Sequence, residues 1–153
     1  MFRRHGIRST AMAAAAAAAL MLSSCAWASP TRTDEAYAPS DGVRVSLVDG
    51  DEVRVENVML LTEAEGSPAQ LFGAVVNDTP EAVTVGVSVG GSQSTIEVDA
   101  NGVARLEEET DVIESSPAAP GSTSPVTFEF RGAQTRDVPV LDGTLSPYDE
   151  YLP

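Results

Sequence analysis

The chain contains no lysine, a single cysteine (Cys25), a single histidine (His5) and a single tryptophan (Trp27) among its 153 residues. Aromatic residues make up only 5% of it. Each scarcity excludes something. One cysteine cannot form a disulfide within a monomer, so stability must come from packing. Without lysine, and with His5 inside the first 25 residues, the rest of the chain lacks the bases that usually activate a nucleophile. We therefore expect no catalytic residues and no enzyme. The acidic residues number 23 against nine arginines, and a surface of that sign repels nucleic acid and anionic lipid headgroups. A nucleic-acid partner is not expected.

Long apolar runs are also missing. The longest uncharged apolar stretch is Ala11–Leu22. As a helix it would span about 18 Å, against a hydrocarbon core of about 30 Å. It is too short for a permanent membrane span. Arg3, Arg4 and Arg8 precede it and the small residues Ser23 and Ser24 follow it, which are the three parts of an export signal. Leu22-Ser23-Ser24-Cys25 resembles the lipobox of bacterial lipoproteins. That resemblance implies cleavage between Ser24 and Cys25 and lipidation of Cys25, which would attach the chain to the outer face of the cytoplasmic membrane. More than one acyl chain is needed for stable attachment, since a single chain binds only marginally. An ordinary secretory signal cut near Ala26-Trp27-Ala28, leaving a free protein, is the alternative.

Four segments are expected: a signal peptide over 1–24, a flexible linker over 25–42, a β-domain over 43–145 and a tail over 146–153. Loss of the signal removes three arginines and no acid. Six arginines then face 23 acids, a net charge of −17. The linker carries Pro30, Pro39, Ser29, Ser40 and Gly42 without periodicity, and a flexible coil of this kind reaches about 5–6 Å × √n.

From Val43 onwards the texture is alternation. Val43, Val45 and Leu47 share one parity, Asp49-Gly50-Asp51 marks a turn, and Val53 to Leu61 returns, so the pair predicts a hairpin. Around Glu56-Asn57 the parity blurs, which predicts a bulge or a strand buried on both faces. Leu71–Val76 reads as a central strand ended by Asn77-Asp78-Thr79-Pro80. Val83, Val85, Val87 and Val89 alternate with small or polar residues, closed by Gly90-Gly91. Thr95–Val98 and Gly102–Leu106 flank Asn101-Gly102, a strong hairpin signal. Val126, Phe128 and Phe130 form another half-buried strand, and Gln134–Leu141 the last. Seven or eight short strands with no helix after the signal predict an all-β, immunoglobulin-like antiparallel sandwich of about seven strands, preceded by a signal-peptide helix.

Three stretches carry a family resemblance: Val53–Leu61, Leu71–Val85, and Val126–Phe130 followed by Val138-Pro139-Val140 and the Pro147-to-Tyr151 tail. Together they resemble a group of small actinobacterial lipoproteins, itself distantly similar to periplasmic copper chaperones of the PCuAC type. The resemblance implies a cupredoxin-like sandwich and, in those chaperones, copper held by His and Met. Here His5, Met1, Met12 and Met21 leave with the signal, and only Met59 remains. A copper site needs several soft donors, so no metal and no cofactor are expected, and Met59 reads as core. The acidic runs Asp49-Gly50-Asp51-Glu52 and Glu107-Glu108-Glu109 with Asp111 offer oxygen ligands for Ca²⁺ but miss the EF-hand spacing. They read as a solvated turn and a charged strand end. The Tyr148-to-Leu152 tail reads as an aromatic clasp, a disordered end or a recognition segment.

The functional expectation is a non-enzymatic interaction or assembly module, held to the membrane through the lipid on Cys25 and contacting an envelope protein. A ligand or metal carrier descended from a copper-chaperone-like sandwich is the alternative.

Overall fold

The computed structural model describes residues 40–153. The signal segment 1–24, the Leu22–Cys25 lipobox with its Ser24 and Cys25 cleavage pair, and the linker up to residue 39 lie outside the described residues. The remainder is almost wholly strand: β1 (Val43–Ser46), β2 (Val53–Thr62), β3 (Ala69–Asn77), β4 (Val83–Val89), β5 (Ser92–Val98), β6 (Val103–Arg105), β7 (Thr123–Glu129) and β8 (Ala133–Asp142). A single helical turn, α1 (Leu106–Glu109), follows β6, and a 3-10 turn spans Tyr148–Tyr151. The strands run in the order β5-β4-β7-β8-β2-β3-β6, with β1 added against β2. β8 is shared: Ala133–Pro139 pairs with β7, and Val140–Asp142 pairs with β2. One curled sheet thus packs as the two faces of an all-β sandwich.

Alternation places the core where the sequence indicates. Val85, Val87, Val89, Val126 and Phe128 are buried together with Val45, Val53, Val55, Leu71 and Val75 from the opposite face. The β1–β2 hairpin closes around Asp49–Asp51, with Val45 opposite Val55. Gly90 and Gly91 both have positive φ, 57° and 88°. They make the two-residue turn between β4 and β5, where Val89 pairs with Ser92 and primed turn geometry suits glycine.

The blurred parity in β2 has both of the predicted causes. The register against β3 shifts between Glu56 and Met59, and Asn57 takes a left-handed conformation at φ 53°. This bulge flips the strand, so Val53 and Val55 before it and Val58 and Leu60 after it all face the core. Met59 and Leu61, on the other face, are also fully buried.

Three details depart from the sequence reading. Asn101-Gly102 makes a turn, with the Gly102 N–H donating to Asp99 O at 3.0 Å, but not a hairpin. β6 leaves β5 and pairs with β3, where Val75 and Ala104 bury side by side as cross-strand neighbours. The β2–β8 ladder is parallel, one exception in an otherwise antiparallel set. The Glu107–Glu109 run is helical rather than a strand end, since Leu106 is drawn fully into the core and the chain must turn around it.

Candidate interaction surface

β5 and β6 stand at the two ends of the strand order. Each therefore has one edge without a strand neighbour. The two-residue turn fixes which groups β5 presents there. Val89 and Ser92 close the turn as a hydrogen-bonded pair, and bonding alternates along an antiparallel ladder. The backbone groups of Ser94, Ile96 and Val98 therefore point to β4. Those of Gln93, Thr95 and Glu97 point away from it, and their side chains are exposed. On β6, the Asn77 N–H donates to Gly102 O at 2.9 Å. The same alternation turns Ala104 toward β3 and Val103 outward.

Between these edges lies a cleft of about 520 Å³, lined by Glu97, Asp99, Val103, Arg105, Glu108 and Glu109 among others. Val103 is 64% exposed at its rim. Arg105 is the one cation of the lining, and it already leans on Glu107 and Glu108 at 3.6 and 4.0 Å. The cleft is open, polar and acidic.

One residue holds the shape of this region. Asn77 is fully buried at the end of β3. Its Nδ2 donates to Glu81 O at 2.8 Å and Asp99 O at 2.9 Å. Its Oδ1 accepts from the Thr79 N–H at 3.0 Å and the Thr79 hydroxyl at 2.7 Å. The β3–β4 turn and the crossover leading into β6 are thus tied to one side chain. Its role as a turn residue is legible in Asn-Asp-Thr-Pro; its burial is not.

The acidic runs divide differently from a cation cage. Asp51 pairs with Arg44, and Arg54 bridges Glu56 at 2.5 Å and Asp78. These hydrogen bonds, Asp78 first and Glu56 second, raise the Arg54 guanidinium above its ordinary value despite its partial burial. Asp49-Gly50-Asp51-Glu52 is a turn stapled by an ion pair. In the second run, Glu107 turns inward, accepting from the Gly73 N–H at 3.4 Å, while Glu108 and Glu109 face the cleft. Among the described residues no group of three acids, His or Cys is placed to hold a metal ion.

Copper fits no better. Met59 is fully buried on β2 beside Phe72 in the β2–β3 ladder, with no second soft donor among the described residues. A lone thioether in a core is packing, not a copper site.

The tail is a clasp. Phe72 receives the rings of Tyr148 and Tyr151 edge-on, at centroid distances of 5.8 and 4.8 Å. Leu152 lies over Gly143, where a Cβ would come within 2.5 Å of it. The Tyr148 hydroxyl donates to Asp41 Oδ2 at 2.6 Å, joining the two ends of the domain. That bond, then burial, pushes the Tyr148 phenol from 10.0 up to about 12. Its neutral form is the one the fold favours. The contribution is therefore complete below the unfolded value of 10.0 and lost as pH rises through about 12. Spectroscopic titration of the phenolates should show one tyrosine ionising late, and Tyr148→Phe should remove that late step.

No family model and no curated protein matches this chain. The distant PCuAC-like similarity expected from the sequence is found among solved structures, in a copper-bound PCuAC domain. The match covers 60% of this chain and 93% of that domain, at 21% identity and a TM-score of 0.44.

Proposed function

We propose that this chain is a lipid-anchored, extracytoplasmic interaction or assembly module of the cell envelope, without catalytic activity of its own. The observation that carries the reading is the pair of unpaired sheet edges, β5 and β6, flanking one open cleft on the described domain. Sheet edges accept added strands, with main-chain hydrogen bonds supplying affinity and side-chain pockets supplying specificity. The Leu22–Cys25 lipobox supports a membrane-surface location. The Pro- and Ser-containing linker supports a domain that stands off the bilayer and reaches a neighbour.

Two measurements test this. Intact-mass analysis of protein from envelope membranes should find Cys25 as the acylated first residue, and Cys25→Ala should shift the protein to the soluble fraction. A chain with its leader uncut and Cys25 bare would overturn the anchor. Crosslinking before detergent extraction should recover a specific envelope partner. Repeated recovery of none would overturn the module.

A further inference from the structure

The geometry points to the free edge of β5, which runs into the acidic cleft at Glu97, as a docking site for an extended, basic segment of another protein, added as a strand. This rests on the module reading above and names the surface and the partner chemistry.

Natural edge strands are usually blunted by lysine, proline, bulges or shortness. β5 has none of these. It is seven residues long, pairs with β4 over its whole length without a register shift, and contains neither lysine nor proline. Among the described residues, no hydrogen bond engages the backbone of Gln93, Thr95 or Glu97 on the side away from β4. An incoming antiparallel strand would exchange bonds at these three positions.

Charge selects the occupant. Glu97, Asp99, Glu108 and Glu109 surround the cleft, and its single cation, Arg105, is already turned to Glu107 and Glu108. An acidic strand would meet like charge at Glu97 and at the carboxylates of the cleft beyond it. A second copy of this chain would bring Glu97 on its own β5 and Asp99 just after it, and a further net negative domain, against the same wall. A segment with Lys or Arg at alternate positions would place its charges among these carboxylates and its apolar residues beside exposed Val103.

The probe is a fluorescent peptide of alternating valine and arginine, titrated against the full-length protein in detergent. An alternating valine and glutamate peptide is the control. Saturable binding of the first and not the second is expected. Thr95→Pro should weaken it at least about tenfold, the loss of a backbone pairing on a scale where 1.4 kcal/mol is one decade. Proline is tolerated there because the Thr95 N–H points away from β4, and circular dichroism checks that the variant folds. The charge-reversed pair Glu97→Lys with Glu108→Lys should lose the arginine peptide and gain the glutamate one. Binding that survives Thr95→Pro would reduce the site to unspecific charge attraction and overturn the strand assignment. A Thr95-dependent dimer would assign the edge to a second copy and overturn the basic segment. In the crosslinking experiment, a partner recovered equally by wild type and Thr95→Pro would defeat this inference alone. Recovery of no partner by wild type would defeat the module reading itself.

Discussion

Asn77→Leu should lower the unfolding free energy by about 3–5 kcal/mol, among the largest single-residue losses in this domain. The side chains are similar in size, so the effect comes from hydrogen bonding rather than volume. Leucine removes one of two donors from Glu81 O and from Asp99 O, which keep the Thr79 hydroxyl and the Gly102 N–H, and leaves the Thr79 N–H without its acceptor. The stranded N–H costs about 1–3 kcal/mol, and each of the two lost carbonyl bonds about 1 kcal/mol more. Denaturant unfolding should show a lower midpoint with an unchanged slope. Asn77→Asp separates the donor from the acceptor role. Its carboxylate keeps the bonds from Thr79 but turns a negative oxygen toward two carbonyls. The aspartate's folded pKa is therefore raised, so the variant should be best tolerated in acid and lose stability as pH rises through that value. Stability independent of pH in Asn77→Asp would contradict this account. Since Asn77 also fixes the crossover beside the cleft, both variants should loosen the end of β5 in hydrogen exchange.

The second large effect is expected at Gly73. It faces the β2 bulge with φ 139°, a region that side chains rarely adopt. A Cβ there would stand 2.8 Å from Glu56 O and 3.0 Å from Asn57 O. These are backbone atoms and cannot swing aside. Gly73→Val should therefore cost about 3 kcal/mol or more, from strained backbone and collision together, and Gly73→Ala somewhat less. The bulge is confined from the other side as well. Gly42 donates its N–H to Asn57 Oδ1 at 3.0 Å, and its own Cβ would stand 2.4 Å from the Asn57 carbonyl carbon. Two glycines clasp one left-handed asparagine. A near-neutral Gly73→Val would mean that the bulge is free to slide.

Much of this arrangement is legible from local pattern. Period-two alternation finds β4 and β7, because each exposes one face and buries the other. Asp49-Gly50 finds its hairpin and Gly90-Gly91 the end of β4, because few residues tolerate positive φ. The loss of parity at Glu56-Asn57 announces the bulge, since an added residue must flip every side chain that follows. Asn101-Gly102 shows the limit. The dipeptide determines that the chain turns, and it does. Whether the strands on either side then pair depends on whether Ala104 is buried better beside Ile96 or beside Val75, which no local signal contains. The same holds for Met59 and Leu61. Both are buried on the outward face of β2, and Tyr148 and Tyr151 arrive from 76 and 79 positions along the chain to pack on Phe72, the cross-strand neighbour of Met59.

By itself, then, the sequence determined a strand-built acidic domain, the turns within it, and that Met59 is the one soft donor among the described residues. It also carried the expectation of a greasy anchor at Cys25. Only the tertiary structure decided that β8 joins both faces, that Asn77 is a buried hub, and that β5 and β6 are left as open edges beside one acidic cleft. The physical reason is range. Turn chemistry and alternation act between residues a few positions apart, whereas an edge is defined by which strand fails to arrive, and that depends on the packing of the whole chain.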